Sequence, residues 1–365
     1  MEGINVKVKQ SMVGLMAYQP GKPIEEVKRE LGLTEVVKLA SNENPYGYSS
    51  KVNEVIEEAM RDLAMYPDGY ARELRERTAR HLGIKETQLI FGNGSDDVIL
   101  ILCRSILSKS DNIVTATPTF PQYRHNAVIE GTEVKEVPLK DGVHDLDAML
   151  EAIDENTKMI FVCNPNNPSG TYVGEDKFKE FIDKVPEEVL VISDEAYYEY
   201  VEAEDFPQTL PMLNDYPNLL ILRTFSKGYG LAALRIGYGI AHEDFIKAVD
   251  PGREPFNTNS LAQKAAFAAL DDQDFIKECF TKNRTEMKRY EDFCEKHGLS
   301  YYPSQANFIL MDLKKPGGEI FNFLLSKGFI TRNGEALGFP HSVRITLGTK
   351  EQNERILEAL AEFIN

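Results

Sequence analysis

The sequence predicts an α/β fold in which a large domain, built on a mostly parallel sheet, is followed by a smaller α+β domain. Short apolar runs alternate with amphipathic helical stretches from about residue 51 to residue 250. This alternation is typical of βα units that cover both faces of a parallel sheet. The pattern changes towards the C-terminus, and 365 residues suffice for two or three domain-sized units.

The N-terminal part, residues 1–40, is predicted to be an arm with one short helix at 24–31, and we expect it to pack with the small domain. The large domain is expected to span 41–255 and the small domain 256–365. The predicted strands of the large domain are 89–91, 112–116, 133–138, 159–163, 189–193 and 219–223. Helices are predicted between several of these strands, at 95–107, 120–129, 145–154 and 175–184.

One further apolar run, 235–241, follows 219–223 after a short stretch that contains glycines. A crossover to a parallel strand requires roughly a dozen residues or more, so we expect 235–241 to be antiparallel to its neighbour. Two helical stretches come next, at 258–270 and 273–297. Beyond them, strands are predicted at 299–302, 306–312, 328–332 and 343–347, and helices at 317–327 and 350–363.

The charge balance disfavours nucleic acid and anionic membranes as partners. The chain has 41 Lys+Arg against 58 Asp+Glu, which gives a net charge of −17 at pH 7. Such a surface repels polyanions at long range, although local arginines still permit an anionic small substrate. No stretch approaches the ~18 apolar residues of a transmembrane helix. The weakly apolar run 12–17 lacks a convincing cleavage site, so a cytoplasmic protein is predicted.

The cysteines and histidines indicate neither a disulfide framework nor a metal site. The four cysteines show no CxxC pairing and no repeated spacing. In so long a chain they are expected to be buried or free thiols in a reducing compartment. The six histidines are scattered and form no HExxH pattern, so no metal is expected.

A lysine and its neighbours form the first candidate site. The segment RTFSKGYGLAALR (223–235) places Lys227 in a glycine-containing turn just after a predicted buried strand. An isolated lysine in this position is more often an ordinary surface residue. Here, however, Thr224 and Ser226 supply hydroxyl donors and Arg235 supplies a bidentate fork, a combination suited to holding a phosphate.

Polar residues also follow two other predicted strands. Asp194 ends the run VISD, where open α/β sheets keep their sites. It is either a helix cap or a carboxylate that keeps a ring nitrogen protonated, and Tyr197 could donate to a phenolic oxygen of the same ring. Asn167, in NPNNPSG, belongs to a strand-ending turn in either case, and its amide could bind the same oxygen.

A glycine-containing loop supplies a third candidate. The segment FGNGSDD (91–97) opens a predicted helix, so the backbone N–H groups at Ser95 and Asp96 could bind an anion. It is not a dinucleotide fingerprint, because Asp97 stands where GxGxxG requires its third glycine. A phosphate-binding P-loop is absent from the sequence.

Together these motifs resemble the fold-type-I pyridoxal-phosphate-dependent aminotransferases of the aspartate aminotransferase superfamily. The resemblance covers essentially the whole chain, and its combination of motifs is highly specific although each motif alone is not. The motifs are NPSG at Asn167, DxxY at Asp194, SK at Lys227, and Arg235 eight residues later. The resemblance implies the type-I fold of these transferases and pyridoxal 5′-phosphate as the cofactor.

The resemblance also implies a role for each of these residues. Lys227 would attach covalently to the cofactor aldehyde and then move the proton between the substrate Cα and the cofactor C4′. Asp194 would pair with the pyridinium nitrogen. Phe120, in PTFP, would stack on the ring or simply pack in the core, and the sequence does not decide between the two. The other implied cofactor contacts are Ser95, Asp96, Asn167, Tyr197, Thr224, Ser226 and Arg235.

A narrower resemblance is to the histidinol-phosphate aminotransferases. It rests on AYQPG around Tyr18, LASNENPYG at 39–47, YPD at Tyr66, and the arginines of GFITR and VRIT, which are Arg332 and Arg344. This resemblance implies that Arg344 binds the α-carboxylate of glutamate in one half-reaction and the phosphate of histidinol phosphate in the other. Arg332 would add a second guanidinium for the phosphate.

Three further contacts follow from the same resemblance. Tyr18 would close over the substrate, and Asn44 would be a substrate-binding residue. Tyr66 would reach the cofactor phosphate of a neighbouring subunit, which implies a homodimer with shared active sites. Without the resemblance, ordinary packing would be the better interpretation of both tyrosines.

The implied reaction is ping-pong transamination between glutamate and imidazole acetol phosphate, which gives L-histidinol phosphate in histidine biosynthesis. Two alternatives on the same scaffold stay open, namely an aromatic (tyrosine and phenylalanine) aminotransferase and a decarboxylase of a phosphorylated amino acid. A non-catalytic, cofactor-dependent regulator is disfavoured by the intact Lys227, Asp194 and Arg235 and by the lack of a basic DNA-binding extension.

Overall fold

A computed structural model describes residues 6–17 and 22–364 of the chain. The helices are α1 (Ile24–Leu31), α2 (Lys51–Ala59), α3 (Arg72–Leu82), α4 (Ser95–Ile106), α5 (Gln122–Glu130), α6 (Leu146–Glu151), α7 (Glu175–Ile182), α8 (Thr209–Met212), α9 (Glu243–Val249), α10 (Ser260–Leu270), α11 (Gln273–His297), α12 (Gly317–Ser326) and α13 (Lys350–Ile364). The strands are β1 (Val37–Lys38), β2 (Leu89–Gly92), β3 (Asn112–Thr117), β4 (Glu133–Pro138), β5 (Thr157–Cys163), β6 (Leu190–Asp194), β7 (Leu219–Thr224), β8 (Gly237–Ala241), β9 (Ser300–Tyr301), β10 (Phe308–Asp312), β11 (Phe329–Ile330), β12 (Arg332–Asn333) and β13 (Ser342–Thr346).

The large domain is built on a seven-stranded sheet with the strand order β2-β8-β7-β6-β5-β3-β4. Strand β8 is antiparallel to both of its neighbours, β2 and β7, whereas the other pairs of the sheet are parallel. The connection between β7 and β8 contains one short 3-10 turn (Ala232–Leu234) and no crossover helix. The predicted mostly parallel sheet and its antiparallel strand are therefore confirmed, and the predicted strands and helices of this domain appear within a few residues of their expected positions.

Both faces of this sheet are buried, which explains the continuously apolar strands. In β7, Leu219 and Ile221 pack in one core cluster, while Leu220 and Leu222 pack in the cluster on the opposite side. Because successive side chains of a strand point to opposite faces, each strand must be apolar at every position. The polar residues that end these strands consequently stand out, and they lie together at one edge of the sheet.

The small domain contains a four-stranded antiparallel sheet with the order β12-β13-β10-β9, covered by α11, α12 and α13. The prediction of one strand at 328–332 was wrong, because the chain forms two strands there. β11 pairs in parallel with β1, whereas β12 pairs with β13. The apolar residues Phe329 and Ile330 are buried, while Arg332 lies at the edge of the domain, so the chain changes partner between them.

The N-terminal segment contacts both domains. Val27 of α1 lies in a small apolar cluster with Ala40 and Ile330, the latter from the C-terminal part of the chain. Further towards the N-terminus, the hydroxyl of Ser11 donates a hydrogen bond to the carbonyl of Ile129 in α5. Helix α1 thus lies against the C-terminal part of the chain, and the turn around Ser11 lies against α5 of the large domain. That the whole arm packs with the small domain is our proposal.

Helices α10 and α11 join the two domains. The alanines of α10 pack in the core of the large domain together with α2 and α3. In α11, Ile276 belongs to the same large-domain core, whereas Met287, Tyr290 and Cys294 belong to the core of the small domain. We therefore propose a domain boundary within α11 rather than at residue 255. Among the helices that the structure describes, none is both long enough and apolar enough to span a bilayer.

Candidate active site

A cavity of about 560 Å³ lies at the carboxyl ends of the parallel strands, between the large and the small domain. It is the place where open α/β sheets bind their ligands. The cavity brings together most of the residues that the sequence analysis selected, from six separate parts of the chain. These are Ser95, Asp96, Phe120, Asn167, Asp194, Tyr197, Thr224, Ser226, Lys227, Arg235, Arg332 and Arg344.

Lys227 stands in the turn after β7, with its side chain in the cavity wall. Its ammonium Nζ donates a hydrogen bond of 3.0 Å to the carbonyl of Ser41 and lies 5.9 Å from the centre of the Tyr197 ring. Burial, and after it the nearby guanidinium of Arg344, together lower the pKa of Lys227 to about 8. Near neutral pH, a larger fraction of the molecules therefore carries Lys227 as a neutral amine than would carry a solvated lysine in that form. The neutral amine is the nucleophilic form.

Asp194 ends β6 and is buried in the floor of the cavity. One carboxylate oxygen accepts a 2.6 Å hydrogen bond from the hydroxyl of Tyr123, and the other accepts from the backbone N–H of Ala196. Burial raises the pKa of Asp194 to about 6. A buried carboxylate is costly unless a cation lies beside it, so this side chain fits a ligand that carries a protonated nitrogen.

Tyr197 is held in place by two amides. Its hydroxyl accepts hydrogen bonds from Nδ2 of Asn42, at 2.9 Å, and from Nδ2 of Asn167, at 3.3 Å. The ring meets Phe308 edge-on in a small buried cluster. A phenol that accepts from two donors keeps its own proton directed elsewhere, so Tyr197 can donate to an oxygen of a ligand in the cavity.

The loop before α4 and Arg235 form a cradle for an anion. Gly94 has φ +88°, and a Cβ at this position would lie 2.5 Å from Nη2 of Arg235. At Gly237, a Cβ would collide with the backbone nitrogen of Ser95. Both glycines therefore let the backbone approach closely at the N-terminus of α4, where free N–H groups attract an anion.

The side chains around this cradle complete a phosphate site. Nη1 of Arg235 lies 3.4 Å from the hydroxyl of Ser226, and Thr224 accepts a hydrogen bond from the backbone N–H of Ser226. Asp96 forms a 3.5 Å ion pair with Arg235, and burial raises the pKa of its carboxyl. The donor set of one guanidinium, two hydroxyls and a helix N-terminus matches the three oxygens of a phosphate ester.

Two arginines face each other at the small-domain side of the cavity. Arg332 in β12 and Arg344 in β13 are direct partners in the antiparallel ladder, so their side chains project from the same face of the sheet. Arg344 is buried and donates to the carbonyl of Ala40 and to Oδ1 of Asn167. The side chain of Arg332 makes no hydrogen bond or ion pair with another residue of the described part of the chain. Like charges in this arrangement repel each other, and an anion between them would remove the repulsion.

Phe120 and Tyr66 are placed differently from each other. Phe120 lines the cavity and also meets Tyr123 edge-on, with 5.5 Å between the ring centres, so it serves both as cavity wall and as part of the core. Tyr66 is 82% exposed, lies outside the cavity and stacks on Phe256. A role for Tyr66 at a cofactor thus requires a second subunit.

Tyr18, which was predicted to close over the substrate, lies outside the described residues.

The structure places Asn44 outside the cavity wall, and its role as a substrate-binding residue stays a prediction. Its Nδ2 donates to the carbonyl of Gly228 and to Sγ of Cys279. The amide that faces the cavity is that of Asn42, which takes a left-handed conformation with φ 56°. Because this turn reorients the chain, the sequence alone did not reveal which of the two asparagines lines the cavity.

Two residues that hold predicted site residues in place were not predicted. Asn42 and Tyr123 touch Tyr197 and Asp194, respectively, from positions 155 and 71 residues away in the sequence. The only sequence signal for Asn42 was its place in the block LASNENPYG, and for Tyr123 its place three residues after Phe120. In the described residues, no group of three or more His, Cys, Asp or Glu side chains is arranged to hold a metal ion.

The residues present fit pyridoxal 5′-phosphate. The cavity offers an amine of lowered pKa at Lys227, a buried acid for a ring nitrogen at Asp194, a phenol at Tyr197 and an anion cradle at Arg235, each suited to one functional group of that cofactor. The cradle in particular fits a bound phosphate, since the two glycines let the guanidinium of Arg235 and the backbone of β8 lie close against the N-terminus of α4.

Comparison with known proteins gives a consistent result. The family model of aminotransferase class I and II matches residues 34–360. The chain is 62% identical over 359 residues to histidinol-phosphate aminotransferase from Geobacillus sp. (strain WCH70), covering 98% of each chain. It is 59% identical over 360 residues to histidinol-phosphate aminotransferase from Bacillus subtilis (strain 168), covering 98% of this chain and all of that one.

A solved structure shares the architecture. The crystal structure of histidinol-phosphate aminotransferase from Sinorhizobium meliloti in complex with pyridoxal-5′-phosphate matches with a TM-score of 0.89 and 28% sequence identity. The match covers 100% of this chain and 98% of that chain.

Proposed function

This chain belongs to the class I and II aminotransferases, and we propose that it transfers an amino group between L-histidinol phosphate and 2-oxoglutarate, giving imidazole acetol phosphate and glutamate. The observation that carries the choice of substrate is the pair of arginines, Arg332 and Arg344, that project side by side into the cavity of Lys227. Two guanidiniums suit the double negative charge of a phosphate monoester. The reaction belongs to histidine biosynthesis, and pyridoxal phosphate is its cofactor.

When bound, pyridoxal phosphate supplies an aldehyde and a ring that withdraws electrons from the substrate. The protein contributes the groups that hold and charge this ring. The N-terminus of α4, Ser226 and Arg235 would hold its phosphate, and Asp194 would keep its nitrogen protonated. Asn167 and Tyr197 lie within reach of each other and would bind its phenolic oxygen.

Lys227 is the base of the reaction. Its lowered pKa would allow the neutral amine to accept a proton from the substrate Cα and to deliver it to C4′ of the cofactor, on the other side of the amino nitrogen. Arg344 binds the acid group of each substrate in turn and so orients the Cα hydrogen towards Lys227. The two substrates use the same cavity one after the other, as ping-pong transfer requires.

A homodimer with shared active sites is part of the proposal. Tyr66 and Phe256 form an exposed aromatic stack, and Met60, Leu63 and Met65 beside it are also exposed. Exposed apolar surface of this extent is typical of a face that is covered by another chain. We propose that a second copy covers it and that Tyr66 reaches the cofactor phosphate of that copy.

A cytoplasmic location is also proposed. It rests on the four cysteines, all of which are free and buried in the structure. Buried thiols without disulfide partners are typical of proteins from a reducing compartment.

A half-reaction tests the proposed function. The purified enzyme in its pyridoxal form would be mixed separately with L-histidinol phosphate, tyrosine and threonine phosphate, and the cofactor absorbance followed. Fast conversion by histidinol phosphate, well ahead of tyrosine, is the expected result. Conversion mainly by tyrosine would move the enzyme to aromatic amino-acid metabolism, and loss of carbon dioxide from threonine phosphate would identify a decarboxylase.

The variant Arg332→Gln sharpens this test. Because the side chain of Arg332 forms no hydrogen bond or ion pair with the described residues, its substitution breaks no polar side-chain contact there. We expect the KM for histidinol phosphate to rise about tenfold or more, as for the loss of one charge-assisted hydrogen bond, while tyrosine is affected much less. An equal rise in KM for histidinol phosphate and tyrosine would show that Arg332 does not bind the phosphate.

A further inference from the structure

Four guanidinium groups line the cavity in the part of the chain that the structure describes, and three of them have a place in the proposed function. These three are Arg235 in the phosphate cradle, and Arg332 and Arg344 in the two facing strands. The fourth is Arg124. It lies in the first turns of α5, four residues after Phe120, at the mouth of the cavity.

Arg124 has one weak partner. Its Nε lies 3.6 Å from Oε2 of Glu136, which is too long for a good hydrogen bond. The two side chains are 52% and 39% exposed. Exposed ion pairs of this kind contribute about 0–1 kcal/mol, so a carboxylate ligand can replace Glu136 at little cost. The planar fork of the guanidinium is well shaped for such a ligand.

Glu136 lines the same cavity. It is located on β4, the edge strand of the large sheet, directly beside Thr115 of β3, which is also part of the cavity wall. The ion pair therefore places one positive and one negative side chain at the entrance, on the large-domain side. Arg332 and Arg344 occupy the opposite, small-domain side.

The two substrates of the proposed reaction differ in their number of acidic groups. Histidinol phosphate has one, its phosphate, whereas glutamate has an α-carboxylate and a second carboxylate at the end of its side chain. In the proposed function, Arg332 and Arg344, which are ladder partners on one face of the small sheet, bind one acidic group together. The second carboxylate of glutamate would remain uncompensated in the cavity, which is costly, unless another cation receives it.

We propose that Arg124 binds the side-chain carboxylate of the dicarboxylic amino donor, and that Glu136 neutralises Arg124 when the partner substrate, whose phosphate is its single acidic group, occupies the cavity. This inference rests on the proposed function, because it takes glutamate as the donor. Arg124 is thus a residue that determines specificity for one of the two substrates. Arg344 serves both substrates, whereas Arg124 distinguishes them.

Ligand binding to the cofactor-loaded enzyme tests this role. Titration calorimetry would compare glutarate, a dicarboxylate without an amino group, with butyrate, which lacks the second carboxylate. Arg124→Gln is expected to weaken glutarate binding about tenfold, as for one charge-assisted hydrogen bond, and to leave butyrate binding within about twofold. Arg124→Lys should restore part of the glutarate affinity, and Glu136→Gln should increase it.

A matched control is available in Arg104, which forms an exposed ion pair with Glu254 outside the cavity. Arg104→Gln should leave the affinities for both ligands unchanged. In the half-reaction, Arg124→Gln should raise the KM for glutamate with little change in kcat, and should reduce the preference for glutamate over norvaline. Norvaline has a methyl group in place of the second carboxylate.

Equal losses for glutarate and butyrate, or no loss for either, would overturn the role of Arg124. This outcome is separate from failure of the proposed function. If the unmodified enzyme is not converted by histidinol phosphate, the function is wrong, whatever Arg124→Gln does to glutarate. If it is converted and glutarate binding does not depend on Arg124, only the present inference is lost.

Discussion

The hydroxyl of Tyr123 donates a 2.6 Å hydrogen bond to the carboxylate of Asp194, and both groups are shielded from solvent. The same ring stacks on Phe161 at 4.4 Å and meets Phe120 edge-on. Tyr123 therefore touches the two residues proposed to contact the nitrogen and the face of the cofactor ring. Its hydrogen bond opposes the effect of burial, since it lowers the pKa of Asp194.

Replacing Tyr123 by phenylalanine should weaken cofactor binding. The variant keeps the ring contacts but removes the donor that favours the ionised carboxylate, so we expect the dissociation constant of pyridoxal phosphate to rise about tenfold. Fluorescence or absorbance titration of the cofactor-free protein would measure it. Tyr290→Phe is the matched control, because Tyr290 is also buried and donates one hydrogen bond, to Asn353 in the small domain. A similar loss of cofactor affinity in both variants would rule out a specific role for Tyr123.

The cofactor-free protein should become more stable when Asp194 is replaced by asparagine. The pKa of Asp194 is raised from 3.8 to about 6 by folding. The folded state therefore keeps a proton that the unfolded chain releases, and stability falls as the pH rises from about 4 to 6. Asp194→Asn removes this loss, worth up to about 3 kcal/mol above pH 6. Urea unfolding at pH 4 and pH 7 would measure it.

The gain in the free energy of unfolding from Asp194→Asn should be small at pH 4. With the cofactor bound, the variant should be less stable than the unmodified protein. With the cofactor bound, the charged nitrogen compensates the carboxylate, and the variant loses that interaction. A stability difference that does not change with pH would contradict the burial of an acid at this position. In the unmodified protein, the carboxylate of Asp194 thus lowers the stability of the cofactor-free state, and the cofactor requires this carboxylate for binding.

Covalent attachment of the cofactor should follow the ionisation of Lys227. Since burial and Arg344 lower the pKa of Lys227 to about 8, the reactive neutral amine increases with pH up to this value. Stopped-flow absorbance should show a rate that rises with pH and levels off above about 8. Arg344→Gln should shift the midpoint upwards, because a neighbouring positive charge is removed. A rate that continues to rise to pH 10 would indicate an ordinary, solvated lysine.

The cradle at Gly94 should not tolerate a side chain. In Gly94→Ala, the Cβ would meet the guanidinium of Arg235, and the left-handed φ would be strained as well. We expect cofactor affinity to fall at least tenfold. Gly83→Ala is the control, because Gly83 also has a positive φ but nothing lies within 4 Å of its Cβ. It should cost about 1 kcal/mol of stability and leave cofactor affinity unchanged, as equilibrium unfolding and titration would show.

Local patterns were sufficient to predict the large domain. Its strands are buried on both faces, so each appears as an apolar run, and the polar residue that ends a run marks the edge where the cavity lies. Asp194 and Thr224 could be selected in this way, and the structure places both in the cavity wall. The antiparallel direction of β8 followed from the length of its connection alone.

Contacts between distant segments could not be predicted. The hydrogen bond from Asn42 to Tyr197 joins the arm region to the centre of the sheet, and no local pattern encodes it. The division of 328–332 into two strands depends on β1, a partner almost three hundred residues earlier that has only two residues of its own. The weak ion pair of Arg124 and Glu136 is likewise visible only when α5 and β4 are placed side by side.

Helix α11 has a mechanical consequence for the cavity. It is one continuous rod of 25 residues, anchored in the large-domain core by Ile276 and in the small-domain core by Tyr290. Lys227 is in the large domain, where the N-terminal end of this helix is anchored, and Arg344 is in the small domain, where its C-terminal end is anchored. A movement of the small domain that changes the distance between these two side chains would therefore twist or bend α11. The stiffness of this helix limits how far the cavity can open or close.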